Sequence, residues 1–337
     1  MQSVSSSPIS GMPNQGGRVV RGNGGFSPVL LPFALIIGAI GGVATGVALF
    51  FSGKLVYLIL VSAIFAGVIA GGFAVLAVKL GKIRNGLLGF LLGILIGAIA
   101  YSAYWGAEYV NAILDYGNFA RDEIRNAMGV SQSPETDKQV EEFLDSILEQ
   151  ETGSTGFIGL MKAFDLELND LTNNIGIIGY VSFQAQEGFS ISRVGRGSSS
   201  SEAPIKDGLA WGYYGLELVI IAIGSALMAS GSARQAFCTE QNRWLKLKPV
   251  AQVLDPAINP FMQAFQNGDL RAAAQYIQPV DARSPLPKLH IEVGRCSEQS
   301  IDGSLKITFI TRNNKNQNTE KVLFNGEISQ IDQLFNR

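Results

Sequence analysis

Four long stretches of this sequence are almost free of charge, and no other feature limits the possible folds so strongly. Residues 22–53, 55–78 and 85–107 contain no Asp, Glu, Lys or Arg, and Gly208–Ala233 contains only Glu217. About twenty apolar residues in a helix cross a hydrocarbon core roughly 30 Å thick. The sequence therefore predicts four transmembrane helices: Pro28–Phe51, Leu55–Val78, Gly86–Gly106 and Leu209–Ser230.

The composition argues against an ordinary soluble protein. Charged residues make up 16 % of the chain, against about 25 % in typical soluble domains. A secretory signal peptide has an apolar core of only about 7–15 residues followed by a small-residue cleavage site. The first apolar stretch is longer and has no clear site of that kind after it. We therefore interpret it as a retained helix.

Basic residues flank the predicted helices unevenly and indicate the orientation of the chain. Lys79, Lys82 and Arg84 lie between the second and third helices, whereas the turn between the first two holds only Lys54. Loops rich in Lys and Arg stay in the cytoplasm, so both termini are predicted to be cytoplasmic. The predicted order is a disordered cytoplasmic tail at 1–27, three transmembrane helices within 28–106, an extracytoplasmic domain at 107–208, the fourth helix at 209–230 and a cytoplasmic α+β domain at 231–337.

Glycines recur at four-residue spacing in the first three predicted helices. Residues four apart share one helix face, and a row of glycines lets another backbone approach closely. We expect these faces to hold the four helices together by glycine-zipper packing; the alternative is that they mediate oligomerisation or a re-packing transition. The glycines concerned are Gly38, Gly42, Gly46, Gly67, Gly71, Gly89, Gly93 and Gly97.

Glu217 is the one ionisable residue inside a predicted span, about eight residues into the fourth helix. An ionisable group at that depth is a functional candidate. The alternative, which we favour, is that it reaches the outer interface or, while protonated, bonds to Tyr213, to Tyr214 or to a hydroxyl of a neighbouring helix, because the other spans offer no basic partner. An aromatic belt is predicted at the same outer level, formed by Tyr101, Tyr104, Trp105, Trp211, Tyr213 and Tyr214.

The extracytoplasmic segment predicts a mixed α/β domain. An apolar stripe continues the third helix past the membrane, and Ser133 and Pro134 begin a further helix that Gly153 ends. Phe157–Phe164 is typical of a short amphipathic helix near the membrane surface. A hairpin is expected from alternating residues at Tyr180–Ala185 and Phe189–Val194.

The C-terminal segment predicts two short helices, three strands and a final helix. Apolar periodicity indicates the helices, and alternation of apolar with polar residues indicates the strands. The predicted bounds are Ile258–Gln266 and Gly268–Ile277 for the two helices, Lys288–Arg295, Leu305–Arg312 and Thr319–Phe324 for the strands, and Ile328–Phe335 for the last helix.

Two segments of this domain echo each other as C-x-E-Q, with Cys238 and Gln241 in the first and Cys296 and Gln299 in the second. If each Gln were Cys, the pair would form the C-x-x-C arrangement of a zinc ribbon. A Gln amide is a poor replacement for a thiolate, and His290 is the only His in the chain. We expect a metal-free remnant whose cysteines lie within about 10 Å of each other, given Zn–S bonds near 2.3 Å, with free thiols in a reducing cytoplasm.

Phe237, Cys238 and Trp244 after the fourth helix give a resemblance to a loosely defined group of uncharacterised bacterial membrane proteins. In that group the last transmembrane helix runs into a cytosolic Phe-Cys-x-x-Cys-x-x-Trp knuckle, from which Gln241 departs. The resemblance implies a multi-pass protein of the bacterial inner (plasma) membrane and no assigned activity. The expected fold is a mainly α membrane protein: a four-helix transmembrane bundle, a mixed α/β outer domain and a small α+β, degenerate zinc-ribbon-like C-terminal domain.

No sequence motif names a reaction, so an enzyme is the third hypothesis. A single His excludes H-E-x-x-H and multi-His metal sites, and His290 in an alternating strand is more typical of a structural residue. The leading hypothesis is a membrane-anchored interaction or assembly protein. Its expected partners are the lipid bilayer and other membrane proteins or a second copy, without cofactor or nucleic acid. The runner-up is a small oligomeric transporter or channel component.

Overall fold

A computed structural model describes residues 19–21, 26–53, 59–188, 205–238, 241–281, 283–296, 303–312, 317–328 and 331–335. The helices in this part are α1 Leu31–Gly53, α2 Ile59–Leu80, α3 Gly86–Met128, α4 Pro134–Thr152, α5 Gly156–Thr172, α6 Gly176–Glu187, α7 Asp207–Ala233, α8 Ile258–Gln266, α9 Leu270–Ala274 and α10 Asp332–Phe335. The strands are β1 Val19–Arg21, β2 Ala236–Cys238, β3 Arg243–Trp244, β4 Lys248–Leu254, β5 Lys288–Arg295, β6 Gly303–Arg312 and β7 Asn318–Ile328.

Within the described residues, four helices are long and apolar enough to cross a membrane, the same number as the predicted spans. They are α1, α2, α3 and α7. The start predicted for the second span, at Leu55, lies outside the described residues. The predicted continuation of α3 past Gly106 is confirmed, because the helix runs unbroken for 43 residues to Met128.

The chain divides into two compact units. The membrane unit comprises Pro32–Ala77 and Phe90–Ala229, and the sheet unit comprises Met1–Leu31, Val78–Gly89 and Ser230–Arg337.

Most buried residues in the transmembrane part of the membrane unit are small, although Ile96 and Ile221 are also buried, and many large side chains lie on its outside. Ala66, Ala70 and Ala74 on α2 are fully buried, whereas Ile40 on α1 and Phe65 on α2 are 64 % and 63 % exposed. Surfaces of this kind are unstable in water but suit a lipid solvent, in which close backbone packing replaces the hydrophobic effect. This arrangement supports membrane insertion independently of helix length.

The described residues of the outer domain are helical, so the prediction of a mixed α/β domain is wrong for this part. The predicted start of α4 is confirmed: Ser133 caps the helix by accepting from Thr136 N–H, and Pro134 occupies its first position. Tyr180–Ala185 lies inside α6 and does not form a strand. Its buried residues include Tyr180, Val181 and Ala185, which share one face only in a helix. The partner strand, Phe189–Val194, lies outside the described residues.

The sheet unit is built on a four-stranded antiparallel meander in the order β4-β5-β6-β7. Helices α8, α9 and α10 contribute Phe261, Leu270 and Leu334 to the core that covers one face of this sheet. Strands contribute Leu289 and Ile307 from their alternating inner positions. The predicted bounds of α8 and β5 are confirmed, and β4 is an additional strand that the sequence did not indicate.

A second, three-stranded sheet has the order β1-β2-β3. It corrects the prediction that the whole tail at 1–27 is disordered, because Val19–Arg21 pair antiparallel with Ala236–Cys238. The β-branched Val19 and Val20 suit a strand, and β2 supplies the open edge with which they pair. Residues 1–18 and 22–25 of the tail lie outside the described residues.

Candidate functional site

The glycine-lined faces of the first three helices are where neighbouring helices meet. A Cβ added to Gly42 on α1 would lie 2.9 Å from Ile99 Cγ2 of α3, and one on Gly97 of α3 would lie 2.8 Å from Ala222 Cα of α7. Of the eight predicted packing residues, Gly38, Gly42 and Gly46 face α3, Gly67 and Gly71 face α7 from α2, Gly93 and Gly97 face α7 from α3, and Gly89 is buried.

One packing glycine was missed. An added Cβ on Gly41 of α1 would collide with the ring of Phe73 on α2. The adjacent glycine pair at 41 and 42 was the available signal, since two neighbouring glycines can admit two neighbouring helices. With this contact the four helices close into a ring in the order α1, α3, α7, α2.

The buried polar side chains of the described spans are hydroxyls, and two of them bond to backbone carbonyl groups. Thr45 Oγ1 donates to Gly41 O at 2.7 Å, and Ser225 Oγ donates across helices to Gly93 O at 2.7 Å. Ser230 and Ser232 are the other buried polar residues of these helices. Such bonds hold helices together but form no chain of ionisable groups across the bundle.

Glu217 lies half-buried near the outer end of α7, one turn after Tyr213. Tyr213 Oη donates to Glu217 Oε1 at 2.5 Å, and Tyr101 Oη on α3 lies 3.5 Å from Glu217 Oε2 and 3.0 Å from Tyr214 O. The hydroxyl partners that we expect for this carboxyl group are therefore present. No basic side chain among the described residues forms an ion pair with it.

The predicted aromatic belt is assembled around this carboxyl group. The rings of Trp105 on α3 and Tyr214 on α7 have centroids 4.9 Å apart, and Trp211 stacks edge-on to Tyr214 at 6.3 Å. Tyr104 packs against both Tyr101 and Trp105. The arrangement orients the Glu217 carboxyl group and joins α3 to α7 at the outer end of the bundle.

The two cysteines of the C-x-E-Q echo meet in the sheet unit. Their Cα atoms are 5.4 Å apart and they form a disulfide. The prediction that they lie within about 10 Å is confirmed. The expectation of free thiols is wrong, because this Cα separation is typical of a disulfide. Gln241 N–H donates to Cys238 Sγ at 3.3 Å, while Gln299 lies outside the described residues.

The segment around Cys238 packs on the turn between α2 and α3. Trp244 Nε1 donates to Lys79 O at 3.1 Å, and the guanidinium group of Arg84 lies 4.9 Å from the centroid of the Phe237 ring. Phe237 and Trp244 contact each other edge-on at 5.1 Å. Within the described residues no group of three or more His, Cys, Asp or Glu is placed to hold a metal ion.

The outer domain contains a twenty-residue repeat that we did not predict from the sequence. Asp145 Oδ1 accepts the Gly156 N–H at 2.9 Å, and Asp165 Oδ1 accepts the Gly176 N–H at 2.9 Å. The preceding helices both end on a left-handed residue, Gly153 and Asn173. The signal was the recurrence of Gly-x-x-Gly, with two large apolar residues between the glycines each time: Gly156-Phe-Ile-Gly159 and Gly176-Ile-Ile-Gly179.

Helices α4, α5 and α6 contact successive levels of the extended α3. On α4, Glu141 pairs with Arg121 at 2.6 Å. On α5, Phe164 packs against Tyr116 with ring centroids 5.5 Å apart. Nearest the membrane, Tyr180 of α6 packs against Trp105, and Ile177 lies beside Gly106. Burial raises the pKa of Tyr180 to about 12, with the charge of Glu108 adding to the effect.

Phe157–Phe164, which we expect near the membrane surface, lies within α5 and contacts α3 past the predicted end of the third span at Gly106. Leu160 of α5 meets Gly117, eleven residues beyond Gly106 on α3, or roughly 16 Å further along the helix axis. The helix that contacts α3 at Gly106 is α6. Its Ile178 is 65 % exposed, and the repeat-equivalent Ile158 on α5 is 57 % exposed at the higher level.

No family model, curated protein or solved structure matches this chain.

Proposed function

We propose that the chain is a membrane-anchored interaction or assembly protein whose outer domain binds another membrane protein or a second copy of itself. The observation that carries this proposal is a set of large apolar side chains exposed on the outer domain, beyond the predicted end of the third span at Gly106. Leu114 and Phe119 on α3 are 48 % and 62 % exposed, and Phe157 and Ile158 on α5 are exposed as well. Apolar groups that lie outside the bilayer and face water mark binding sites for other proteins.

These residues lie further from the predicted end of the third span than the residues that we expect to face lipid. Leu114 lies eight residues beyond Gly106 on α3 and Phe119 thirteen, or roughly 12 and 20 Å further along the axis. The interfacial layer of a bilayer adds only about 5–8 Å to each side of the hydrocarbon core. We therefore assign Ile177 and Ile178 to the lipid interface, and Leu114, Phe119, Phe157 and Ile158 to a protein partner.

The packing of the bundle supports an anchoring role. The small-residue contacts α1–α3, α3–α7, α7–α2 and α1–α2 close the ring, and the buried polar groups of the described spans are hydroxyls. A path for ions or polar solutes requires polar or charged groups along its length.

For the orientation, we propose that both termini are cytoplasmic and that the membrane is a bacterial inner membrane. The basic residues at 79–84 and after α7 support this orientation, and the resemblance of the Phe237–Trp244 segment supports the location. The disulfide is the opposing observation, because disulfides are rare in reducing cytoplasm. We also propose that the C-terminal domain descends from a zinc ribbon, which the backbone N–H···S bond of Gln241 to Cys238 supports.

The test is site-specific photo-crosslinking in native membranes, with benzoylphenylalanine at position 158 and, as the matched control, at the repeat-equivalent position 178. We expect a discrete protein adduct from position 158 and lipid adducts from position 178, and a crosslinker at position 119 should capture the same protein. Lipid adducts alone from positions 158 and 119 would contradict the proposal.

The second candidate is a small oligomeric transporter or channel component, and Glu217 is the observation that favours it. Its carboxyl group lies inside a span at the outer end of the bundle, where ionisable residues often serve transport. An ion or proton flux through purified protein in liposomes that the Glu217→Gln variant abolishes would support this candidate over the anchor.

A further inference from the structure

The outward face of the four-stranded sheet carries a polar cavity of about 850 Å³. Side chains alternate along a strand, so Leu289 and Ile291 enter the core while Lys288 and His290 point to the opposite face. In the register of the sheet, Lys288 lies opposite Ile310 of β6. The cavity therefore has a floor of strand residues from β5, β6 and β7.

Residues 283–287 form one wall of the cavity, and Gln252 of β4 bonds both to Ser284 in this wall and to Gln278 before it. Gln252 exchanges backbone hydrogen bonds with Gln278 at 2.9 and 2.8 Å, and its Nε2 donates to Ser284 Oγ at 2.6 Å. These bonds place Arg283 on the lining of the cavity, while Pro285 and Leu286 give it an apolar side.

Lys288 is buried in this cavity without a negative partner among the described residues. The residue is 8 % exposed, and its Nζ donates to Asp281 O at 3.2 Å and lies 3.5 Å from Gln252 Oε1. Both acceptors are neutral oxygens. A buried ammonium group without a counter-charge is costly, and an anion in the cavity would remove that cost.

Basic side chains outnumber acidic ones among the described residues that line the cavity. Arg283, Lys288 and Arg312 line it together with His290, and Glu320 on the edge strand β7 is the one carboxylate in the lining. Neither arginine forms an ion pair with a described residue. The cavity thus presents three permanent cations against one anion, and the potential inside it is positive.

We propose that this cavity binds a small phosphorylated molecule. Guanidinium groups pair bidentately with phosphate oxygens, and Lys288 provides a point charge from the floor. The volume exceeds what one phosphate group fills and lies within the range of about 300–1,000 Å³ for ligand pockets, so the apolar side with Pro285 and Leu286 contacts an organic part. The phosphate belongs either to a soluble ester or to the headgroup of an anionic lipid.

The test is calorimetric titration of inorganic pyrophosphate into the full chain in phosphatidylcholine nanodiscs. We expect saturable binding that weakens about tenfold in Arg312→Gln, the size expected for the loss of one charge-assisted pair. Arg271→Gln is the matched control, because Arg271 is an exposed arginine of the same domain outside the cavity lining. Thermal unfolding of both variants checks that the fold is intact.

A second arm repeats the titration in phosphatidylglycerol nanodiscs. If a lipid headgroup occupies the cavity, pyrophosphate binds more weakly there than in phosphatidylcholine, and Arg312→Gln removes that difference. If the ligand is a soluble ester, the two lipids give the same affinity. Absence of saturable binding in both lipids, or an equal loss in Arg271→Gln, would overturn the proposal.

Discussion

The transmembrane bundle and the C-terminal sheet unit differ in the size of the residues that they bury. In the bundle most buried residues are Ala and the helix contacts are made at Gly, with Ile96 and Ile221 as large exceptions, and large side chains such as Ile40 face outward. In the sheet unit Leu289, Ile291 and Ile307 are fully buried. The difference follows from the solvent: water drives large apolar groups inward, whereas lipid is as apolar as they are and leaves close backbone contact as the stabilising factor.

Truncating a large side chain is the first way to separate the two regions. Ile307→Ala in the sheet core should cost about 2–5 kcal/mol of unfolding free energy, because it removes buried methyl groups and leaves a cavity. Ile40→Ala on the bundle surface should cost less than about 0.5 kcal/mol, as at other exposed sites. Thermal unfolding of both variants in one detergent measures the difference. Similar losses of stability in the two variants would contradict the proposal that the bundle exposes its large side chains while the sheet unit buries them.

Enlarging a small residue should destabilise the protein where helices of the bundle meet at glycines. The largest loss of unfolding free energy should be slightly smaller than that from truncating Ile307. A Cβ at Gly93 would lie 2.5 Å from Ala226 Cα, a backbone atom that cannot move aside, whereas Gly72 has no heavy atom within 4 Å of that position. Gly93→Leu should therefore cost about 3 kcal/mol, near the upper end of the usual range for overpacking. Gly72→Leu, in the same bundle, should leave the melting temperature unchanged or raise it. Equal destabilisation by both would mean that helix contacts are not at the glycine faces.

Glu217 is expected to have the smallest effect of the three. Glu217→Gln keeps an oxygen that can accept from Tyr213 Oη, so the variant should unfold within about 0.5 kcal/mol of the parent. Differential scanning fluorimetry of the detergent-solubilised protein checks this expectation. A loss several times larger would show that the carboxyl group itself is needed to join α7 to Tyr101.

The sequence was sufficient where one local pattern determined the structure. Long charge-free runs predicted the spans, Ser133 and Pro134 predicted the start of α4, and strict alternation predicted β5 to the residue. Each of these signals concerns neighbours along the chain and the solvent they meet. None of these signals depends on a contact with a distant helix or strand.

The failures involve contacts between distant parts of the chain. Tyr180–Ala185 has an apparent alternation, but burial against Trp105 and Tyr109 of α3 favours a helix. Val19–Arg21 becomes a strand only because β2 offers an edge far along the sequence. The Tyr101 hydroxyl near Glu217 and the Gly41–Phe73 contact also required knowledge of which helices are neighbours.

We propose above all that four helices cross the membrane, an arrangement in which positions 138 and 321 would face opposite sides of it. Single cysteines replace Lys138, whose side chain is 80 % exposed, and Lys321, which is exposed on β7. Each new cysteine is placed in a chain that carries Cys238→Ser and Cys296→Ser. The same chain without a new cysteine is the negative control for labelling. An impermeant maleimide added to sealed, right-side-out vesicles should label position 138 and should reach position 321 only after the membrane is opened. Labelling of both positions in sealed vesicles, or of neither, would contradict the four-span account; labelling of 321 alone would keep the four spans and reverse the orientation.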